Sequence, residues 1–116
     1  ILKIYTNKLN GRDEKNLPEE NPSKLPSARL SSFAKADLNE IWLYISDNSQ
    51  QFADKTIDEI LQKCQFLAKN PKLGRTRHDL MIDLRLFPYK NYNIFYFPTE
   101  NGVEIYRVLH SSRDVI

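Results

Sequence analysis

Apolar residues in the middle of the chain recur every three or four positions, which is the spacing of two amphipathic helices. Ser31 or Ser32 is the predicted N-cap of the first helix, and Asp47-Asn48-Ser49 marks the turn that follows it. Ser49 can also cap the second helix, which Lys69-Asn70-Pro71 ends with a cation, an asparagine and a helix breaker. Because the connection is short, the two helices should form an antiparallel hairpin. The apolar positions of the two stripes are Ala34, Leu38, Ile41, Trp42, Ile45, Phe52, Ala53, Ile57, Ile60, Leu61, Cys64, Leu67 and Ala68.

After the helices the hydrophobic period changes to two, which is typical of strands. Every even-numbered position of residues 80–87 is apolar, so this segment is predicted to be a strand with one buried face. Residues 92–97 form an aromatic-rich second strand, and Asn101-Gly102 is a hairpin signal before a third strand at 103–109. A short first strand at 28–30 precedes the helices. The order strand-helix-helix-strand-strand-strand predicts an α+β domain in which the helix hairpin packs on an antiparallel sheet.

The chain ahead of this domain has a different composition. Residues 10–27 contain three prolines, four acids, three bases and few apolar side chains, so they cannot bury enough surface to fold and are predicted to be a linker. Ile1-Leu2-Lys3-Ile4-Tyr5 could add a strand to a sheet edge or belong to a fused segment, and both interpretations stay open. We therefore expect an N-terminal extension and linker at 1–27 and one folded domain at 28–116.

Composition places this domain among ordinary globular proteins. Of the 116 residues, 41% are hydrophobic and 28% charged, and no apolar run approaches the roughly 20 residues that a membrane span needs. The single cysteine, Cys64, excludes an internal disulfide and is expected to be a small buried hydrophobe. Together with the lack of a signal peptide, this favours a cytoplasmic protein without a membrane partner. No motif indicates a metal or another cofactor.

Net charge is only +2, but the arginines are concentrated near the C-terminus. Arg75 and Arg77 follow a turn at Gly74, whose glycine is expected to permit a positive φ, and they should share one side of an extended segment. There they could bind phosphates or carboxylates, or they could form surface salt bridges, and the pattern does not decide between these roles. The arginines of the C-terminal region are Arg75, Arg77, Arg85, Arg107 and Arg113.

Three further polar positions carry distinct expectations. Arg107 interrupts the apolar alternation of the last strand, so it is predicted to form a structural ion pair with Asp83 or Glu104. His110 and Arg113 lie just past that strand and are the best candidates for a chemical or contact site.

Four ordered motifs give a resemblance to a known family. They are Ala36-Asp37-Leu38-Asn39-Glu40-Ile41-Trp42-Leu43-Tyr44-Ile45, residues 67–77, Leu84-Arg85-Leu86-Phe87 with residues 92–96, and residues 105–114. In this order and spacing they resemble the ParE/RelE superfamily of bacterial toxins over residues 28–116. Gly74-Arg75-Thr76-Arg77 and the ending from His110 to Asp114 resemble the gyrase-poisoning ParE branch more than the ribosome-dependent RNases.

The resemblance implies the toxin of a type II toxin–antitoxin system that poisons DNA gyrase or a related topoisomerase and has no catalytic site of its own. The alternative is an endoribonuclease that cuts mRNA on the ribosome, with His110 as base and Arg85 or Arg113 binding phosphate. The chain lacks the lysine cluster and terminal tyrosine of such enzymes. A non-toxic binding relative is a second alternative. The candidate target-binding residues are Arg75, Arg77, Arg85, His110 and Arg113.

A toxin of either kind implies an antitoxin, here a ParD-like or other small protein whose C-terminal segment would wrap the helix pair and sheet. The candidate antitoxin contacts are Tyr44, Phe52, Phe66 and Phe87, and each of them is equally plausible as a core residue. Trp42, in contrast, is predicted to belong to the core, and His78 is predicted to lie on the surface.

Overall fold

A computed structural model of the chain describes residues 25–113. Most of the predicted linker and the proposed strand at Ile1-Leu2-Lys3-Ile4-Tyr5 lie outside the described residues. Within them, five strands and two helices follow one another, and the α+β prediction is confirmed. The elements are β1 (Ser27–Leu30), α1 (Ser32–Ser46), α2 (Gln50–Lys69), β2 (Arg75–Thr76), β3 (Arg85–Tyr89), β4 (Tyr92–Thr99) and β5 (Gly102–His110).

The two helices begin where the sequence predicts. Ser31 is the N-cap of α1 and its Oγ accepts a hydrogen bond from the Ala34 N–H, while Ser49 caps α2 by accepting from the Phe52 N–H. The indole of Trp42 donates to the carboxylate of Asp54 at 2.8 Å, which joins the two helices close to their connection. Trp42 is buried, as predicted for a core residue.

The strands form one sheet in the order β1-β5-β4-β3-β2. The pairs formed by β2, β3, β4 and β5 are antiparallel, but β1 pairs with β5 in parallel, with Ser27 opposite Gly102 and Leu30 opposite Ile105. The sheet is therefore not the purely antiparallel one that the sequence predicted. Gly102 is required at this contact, because a Cβ built on it would lie 2.0 Å from the Ser27 carbonyl oxygen.

The sheet separates two groups of buried side chains. The helix-side core fills the space between the sheet and both helices, whereas a smaller outer cluster covers the opposite sheet face. Cys64 lies in the helix-side core, as predicted, with its thiol fully buried. The outer cluster consists of Leu84, Leu86, Phe95 and Leu109, with Leu80, Phe97 and Tyr106 packed around them.

The strand predicted at 80–87 is wrong over its first half. Only Arg85–Tyr89 is a strand, and residues 77–84 form a compact turn in which Ile82 is 78% exposed. Continuing the register of β3 and β4 would place Asp83 opposite Pro98, which has no N–H to donate to the ladder. The alternating apolar pattern continues past the point at which hydrogen-bonded pairing can continue.

A β-bulge interrupts β5. Phe95 of β4 pairs with Arg107 and Tyr96 pairs with Ile105, so Tyr106 is the extra residue. The bulge reverses the alternation of β5, since Ile105 and Val108 both belong to the helix-side core. Arg107 consequently does not take the apolar-facing position that strict alternation predicts.

Candidate functional site

The loop between α2 and β2 is fixed by β3 and β4. The Tyr96 hydroxyl accepts a hydrogen bond from the Gly74 N–H at 2.8 Å and donates to the Pro71 carbonyl oxygen at 2.7 Å. Burial raises the pKa of this phenol, so it remains a protonated donor. A Cβ on Gly74 would lie 2.7 Å from the Tyr96 hydroxyl oxygen, while the positive φ expected at Gly74 is not observed. Glycine is needed here for close approach rather than for backbone conformation.

Three of the candidate target-binding arginines surround this loop, in different environments. Arg85 is half-buried, and its guanidinium donates to the carbonyl oxygens of Lys72 and Gly74. Arg77 forms a two-point ion pair with the Asp79 carboxylate, at 2.9 and 2.8 Å. Arg75 lies exposed on the edge strand β2. Arg75 is thus the arginine of this group best placed to meet a partner.

His110 is the last residue of β5 and Arg113 follows it, so both lie beside the turn between β3 and β4. Both are exposed. The imidazole of His110 packs edge-on against Tyr92 with ring centroids 5.8 Å apart, and its Nδ1 accepts the Ser112 N–H at 3.2 Å. His110 is therefore held in position but open to solvent.

The structure does not bring the arginines around the loop after α2 together with His110 and Arg113. Arg85 pairs with Tyr96 of β4, whereas His110 pairs with Tyr92, so their Cα atoms are four residues apart along the strands and two strands apart across the sheet. Strand geometry converts this separation to about 16 Å. A general base and a cation that bind one phosphate must lie much closer, and Arg85 already donates to two carbonyls.

The buried Asp37 forms an ion pair with the partly buried Arg107. The Arg107 Nε and Nη2 donate to the two carboxylate oxygens at 2.7 and 2.8 Å, and the Val108 N–H donates to the same carboxylate at 3.0 Å. The hydrogen bond to Asp37 raises the pKa of Arg107 further above its ordinary value. The expectation of a structural ion pair is correct, but its predicted partners, Asp83 and Glu104, are wrong. Arg107 instead reaches Asp37 of α1.

Exposed apolar side chains concentrate on one side of α1. Tyr44, a candidate antitoxin contact, is 80% exposed, and the sequence interpretation missed its neighbours Phe33 and Leu43. Positions 33, 36, 40, 43, 44 and 47 recur at helical spacing, so they form a second stripe that faces away from the core. We call these six positions the outer stripe of α1. The spacing was readable in the sequence, but the stronger buried stripe obscured it.

The outer stripe of α1 continues onto the sheet. The Phe33 ring lies edge-on to Tyr106 at 5.7 Å, and Tyr106 lies at the same distance from Phe97. The guanidinium of Arg107 lies over Phe33 at 5.8 Å. The remaining antitoxin candidates belong to other surfaces: Phe52 and Phe66 are exposed on α2, and Phe87 is partly buried against the helix-side core.

A charged and aromatic cluster connects α2 with the turn after β3. Glu59 accepts hydrogen bonds from the Tyr89 hydroxyl at 3.0 Å and from Lys90 Nζ at 2.9 Å. The Lys90 contact is the main reason that the pKa of Glu59 is lowered. Lys63 Nζ lies over the rings of Phe66 and Tyr89, at 5.1 and 5.7 Å from their centroids. Glu59 neutralises part of a lysine-rich surface and fixes its aromatic residues.

Between residues 25 and 113 no group of histidine, cysteine and carboxylate side chains is arranged to hold a metal ion. In the same part of the chain no helix is long and apolar enough to cross a membrane.

Comparison with known proteins gives consistent relatives. The sequence profile of the family described as ParE toxin of type II toxin-antitoxin system, parDE, matches residues 28–115. Toxin ParE1 of Caulobacter vibrioides is 35% identical over 86 residues, which cover 72% of this chain and 88% of that protein. Toxin ParE1 of Mycobacterium tuberculosis is 31% identical over 88 residues, which cover 74% of this chain and 90% of that protein.

A solved structure shares the fold. A chain of the chromosomal ParDE toxin–antitoxin system from P. aeruginosa superimposes with a TM-score of 0.62 at 18% sequence identity. The match covers 76% of the present chain and 97% of the P. aeruginosa chain.

Proposed function

The chain belongs to the ParE toxin family of type II toxin–antitoxin systems, and from this premise we propose that it poisons DNA gyrase or a related topoisomerase. One observation favours this target over mRNA cleavage. Of the residues that an RNase would use, His110 and Arg113 lie together after β5, but Arg85 does not join them. The Cα atom of Arg85 lies about 16 Å from that of His110, and its guanidinium donates to the carbonyls of Lys72 and Gly74. A poison needs binding surfaces rather than an acid–base pair.

The decisive experiment measures both activities of the induced toxin. The chain is produced in a bacterial host without antitoxin, and the purified protein is added separately to gyrase with supercoiled plasmid and to ribosomes with mRNA. We expect accumulation of gyrase–DNA cleavage complexes while the mRNA stays intact. Cleaved mRNA together with normal supercoiling would contradict the proposal, and a chain without either effect would favour a non-toxic relative.

The outer stripe of α1 supports a second part of the proposal, the binding of a cognate antitoxin. Phe33, Leu43 and Tyr44 expose large apolar side chains along about three helical turns. A continuous exposed stripe of this kind is typical of a surface that receives an amphipathic segment. The P. aeruginosa structure is described as a ParDE toxin–antitoxin system, which is consistent with such a partner.

Substitution of the stripe tests this surface. In the double variant Leu43→Ser/Tyr44→Ser, affinity for the cognate antitoxin should fall at least ~100-fold, because two apolar anchors are lost. The matched control is Asn39→Ser, an exposed position to one side of the stripe, which should leave the affinity unchanged. Equal affinities of wild type and double variant in a titration calorimeter would move the antitoxin site away from α1.

A further inference from the structure

The turn at residues 77–84 is ordered by its own hydrogen bonds rather than by the sheet. The Arg77 N–H donates to the Leu84 carbonyl at 2.7 Å, the Arg77 carbonyl accepts from two N–H groups at 2.9 and 3.2 Å, and the Leu84 N–H donates back into the turn at 3.2 Å. A fifth bond joins the Asp83 N–H to the His78 imidazole Nδ1 at 3.2 Å. The segment is therefore a defined structure and not a loose connection. The two donors to the Arg77 carbonyl are the amides of Leu80 and Met81.

The orientation of the turn divides its apolar residues. Leu80 packs on the outer cluster and anchors the turn to the sheet face opposite the helices. Met81 and Ile82 face away from the protein, with 38% and 78% of their surfaces exposed. Asp83 takes a positive φ of 67°, which an aspartate tolerates better than most residues and which returns the chain to β3.

Single exposed apolar residues are common and need no explanation. This pair differs because two adjacent apolar side chains are presented at the tip of a turn whose backbone is already fixed. Binding through such a tip loses little conformational entropy, since the ordering cost is met in the fold. The Met81–Ile82 tip therefore has the properties of a preorganised anchor.

Charge around the tip indicates the chemistry of its partner. Asp79 and Asp83 flank the tip and both are exposed. The hydrogen bonds from Arg77 lower the pKa of Asp79, so its carboxylate is ionised at neutral pH. Because Asp79 already forms a two-point ion pair with Arg77, Asp83 is the carboxylate of the two that can meet a partner. An exposed carboxylate repels the phosphates of DNA, whereas it suits a protein pocket with a cation on its rim.

We propose that the Met81–Ile82 tip docks into an apolar pocket on the protein that this toxin attacks, with Asp83 meeting a cation at the rim of the pocket. The outer stripe of α1 is the surface assigned to the antitoxin, and neither Met81 nor Ile82 belongs to it. The antitoxin affinity is therefore a readout separate from the role of the tip. That the attacked protein is a topoisomerase rests on the function proposed above, but the role of the tip does not.

Variants of Ile82 in the full chain test the docking. Ile82→Asp places a charge in the pocket and should abolish growth arrest and lower the affinity for purified gyrase roughly 10- to 100-fold. Ile82→Val keeps an apolar side chain and should stay within about threefold of the wild type. The matched control is Thr99→Asp, at the exposed last position of β4. It adds the same charge and should arrest growth like the wild type.

Two further measurements separate the outcomes. The thermal midpoint and the affinity for the cognate antitoxin should be the same for Ile82→Asp and wild type. Equal values would show that the substitution affects neither folding nor the α1 surface. Growth arrest by Ile82→Asp equal to that of the wild type would overturn the docking, and so would a loss of antitoxin affinity in parallel with toxicity. If the wild type arrests growth without affecting gyrase and Ile82→Asp does not arrest growth, the tip is supported while the topoisomerase target is excluded.

Discussion

Asp37 shows how much of this fold depends on one side chain. It is 6% exposed, and its carboxylate accepts two hydrogen bonds from Arg107 and one from the Val108 N–H. An acidic residue near the start of a helix by itself indicates only a favourable interaction with the helix dipole. In the structure Asp37 pairs with the charge of Arg107, and it satisfies a backbone donor at the open edge of β5 beyond β1.

Removal of this carboxylate should destabilise the domain strongly. We expect Asp37→Ala to lower the free energy of unfolding by about 3–5 kcal/mol, because the partly buried Arg107 would lose its counter-charge and the Val108 N–H would lose its acceptor. The measurement is urea unfolding at neutral pH. Glu40→Ala removes an exposed carboxylate one turn further along α1 and serves as the control, with an expected change below about 0.5 kcal/mol. A similar loss in both variants would show that the ion pair is not the cause.

Cys64 allows a second test at this scale. Its thiol is fully buried, and burial raises its pKa to about 12. Because the thiolate is the reactive form, the native protein should not react with an aromatic disulfide reagent at pH 8, while the urea-unfolded chain should react at once. Rapid labelling of the native protein would mean that α2 opens far more easily than its packing suggests.

At the scale of elements, the position of the loop after α2 is set by β4 rather than by its own sequence. Tyr96 bonds to both ends of the Pro71–Gly74 turn, and Gly74 is small enough to lie against its ring. Arg85 of β3 fixes the same loop through two carbonyls. Arg75, the exposed candidate for target binding, follows directly and depends on this arrangement for its position.

Tyr96→Phe tests this connection. The buried Gly74 N–H would lose its acceptor, so the free energy of unfolding should fall by about 1–3 kcal/mol in urea or guanidinium titrations. Toxicity should weaken as well if Arg75 contacts the target. Tyr44→Phe removes a hydroxyl from an 80% exposed ring, and an unchanged stability is expected for this control.

The Glu59–Lys90 pair gives a prediction for pH dependence. The hydrogen bond from Lys90 lowers the pKa of Glu59 below its ordinary value of 4.5 in the folded state. The stabilisation is therefore fully present above pH 4.5 and is lost as the pH falls through the lower folded value. The difference in thermal midpoint between wild type and Glu59→Gln should shrink on acidification. The difference in thermal midpoint between wild type and Lys90→Ala should shrink on acidification in the same way. A difference that stays constant with pH would contradict the assignment of this stabilisation to the Glu59–Lys90 pair.

At the scale of the whole molecule, the described residues pack on both faces of the sheet. Residues 25–113 supply the helix-side core on one face and the outer cluster on the other. The family profile matches residues 28–115. We propose that residues 28–116 form the functional unit and that residues 1–24 contribute neither to its core nor to its binding surfaces.

Deletion of residues 1–24 tests this boundary. The shortened chain should keep the thermal midpoint, the growth arrest and the antitoxin affinity of the full chain within experimental error, because no described core residue is removed. A midpoint lower by several degrees, or an altered antitoxin affinity, would instead support a contribution of residues 1–24 to the domain, such as a strand that residues 1–5 add to a sheet edge.

Local periodicity in the sequence was sufficient for the helices, for both serine caps, for the hairpin at Asn101-Gly102 and for the burial of Trp42 and Cys64. These features depend on residues that are close to one another in the sequence, and a linear pattern shows such residues directly. The ordered motifs also identified the family, which the comparisons confirmed.

Only the tertiary structure decided which distant residues meet. The parallel pairing of β1 with β5 and the contact of Asp37 with Arg107 join positions 70 or more residues apart along the chain. The bulge at Tyr106 arises in the pairing of β5 with β4 and interrupts an alternation that the sequence alone suggests is continuous. The apolar alternation of residues 80–87 was real, but whether it could pair depended on Pro98 in another strand. The hydrophobic pattern indicates which side chains gain free energy from burial. Whether each of them is buried depends on the hydrogen-bonding partners that the fold supplies, and Ile82 is one that remains exposed.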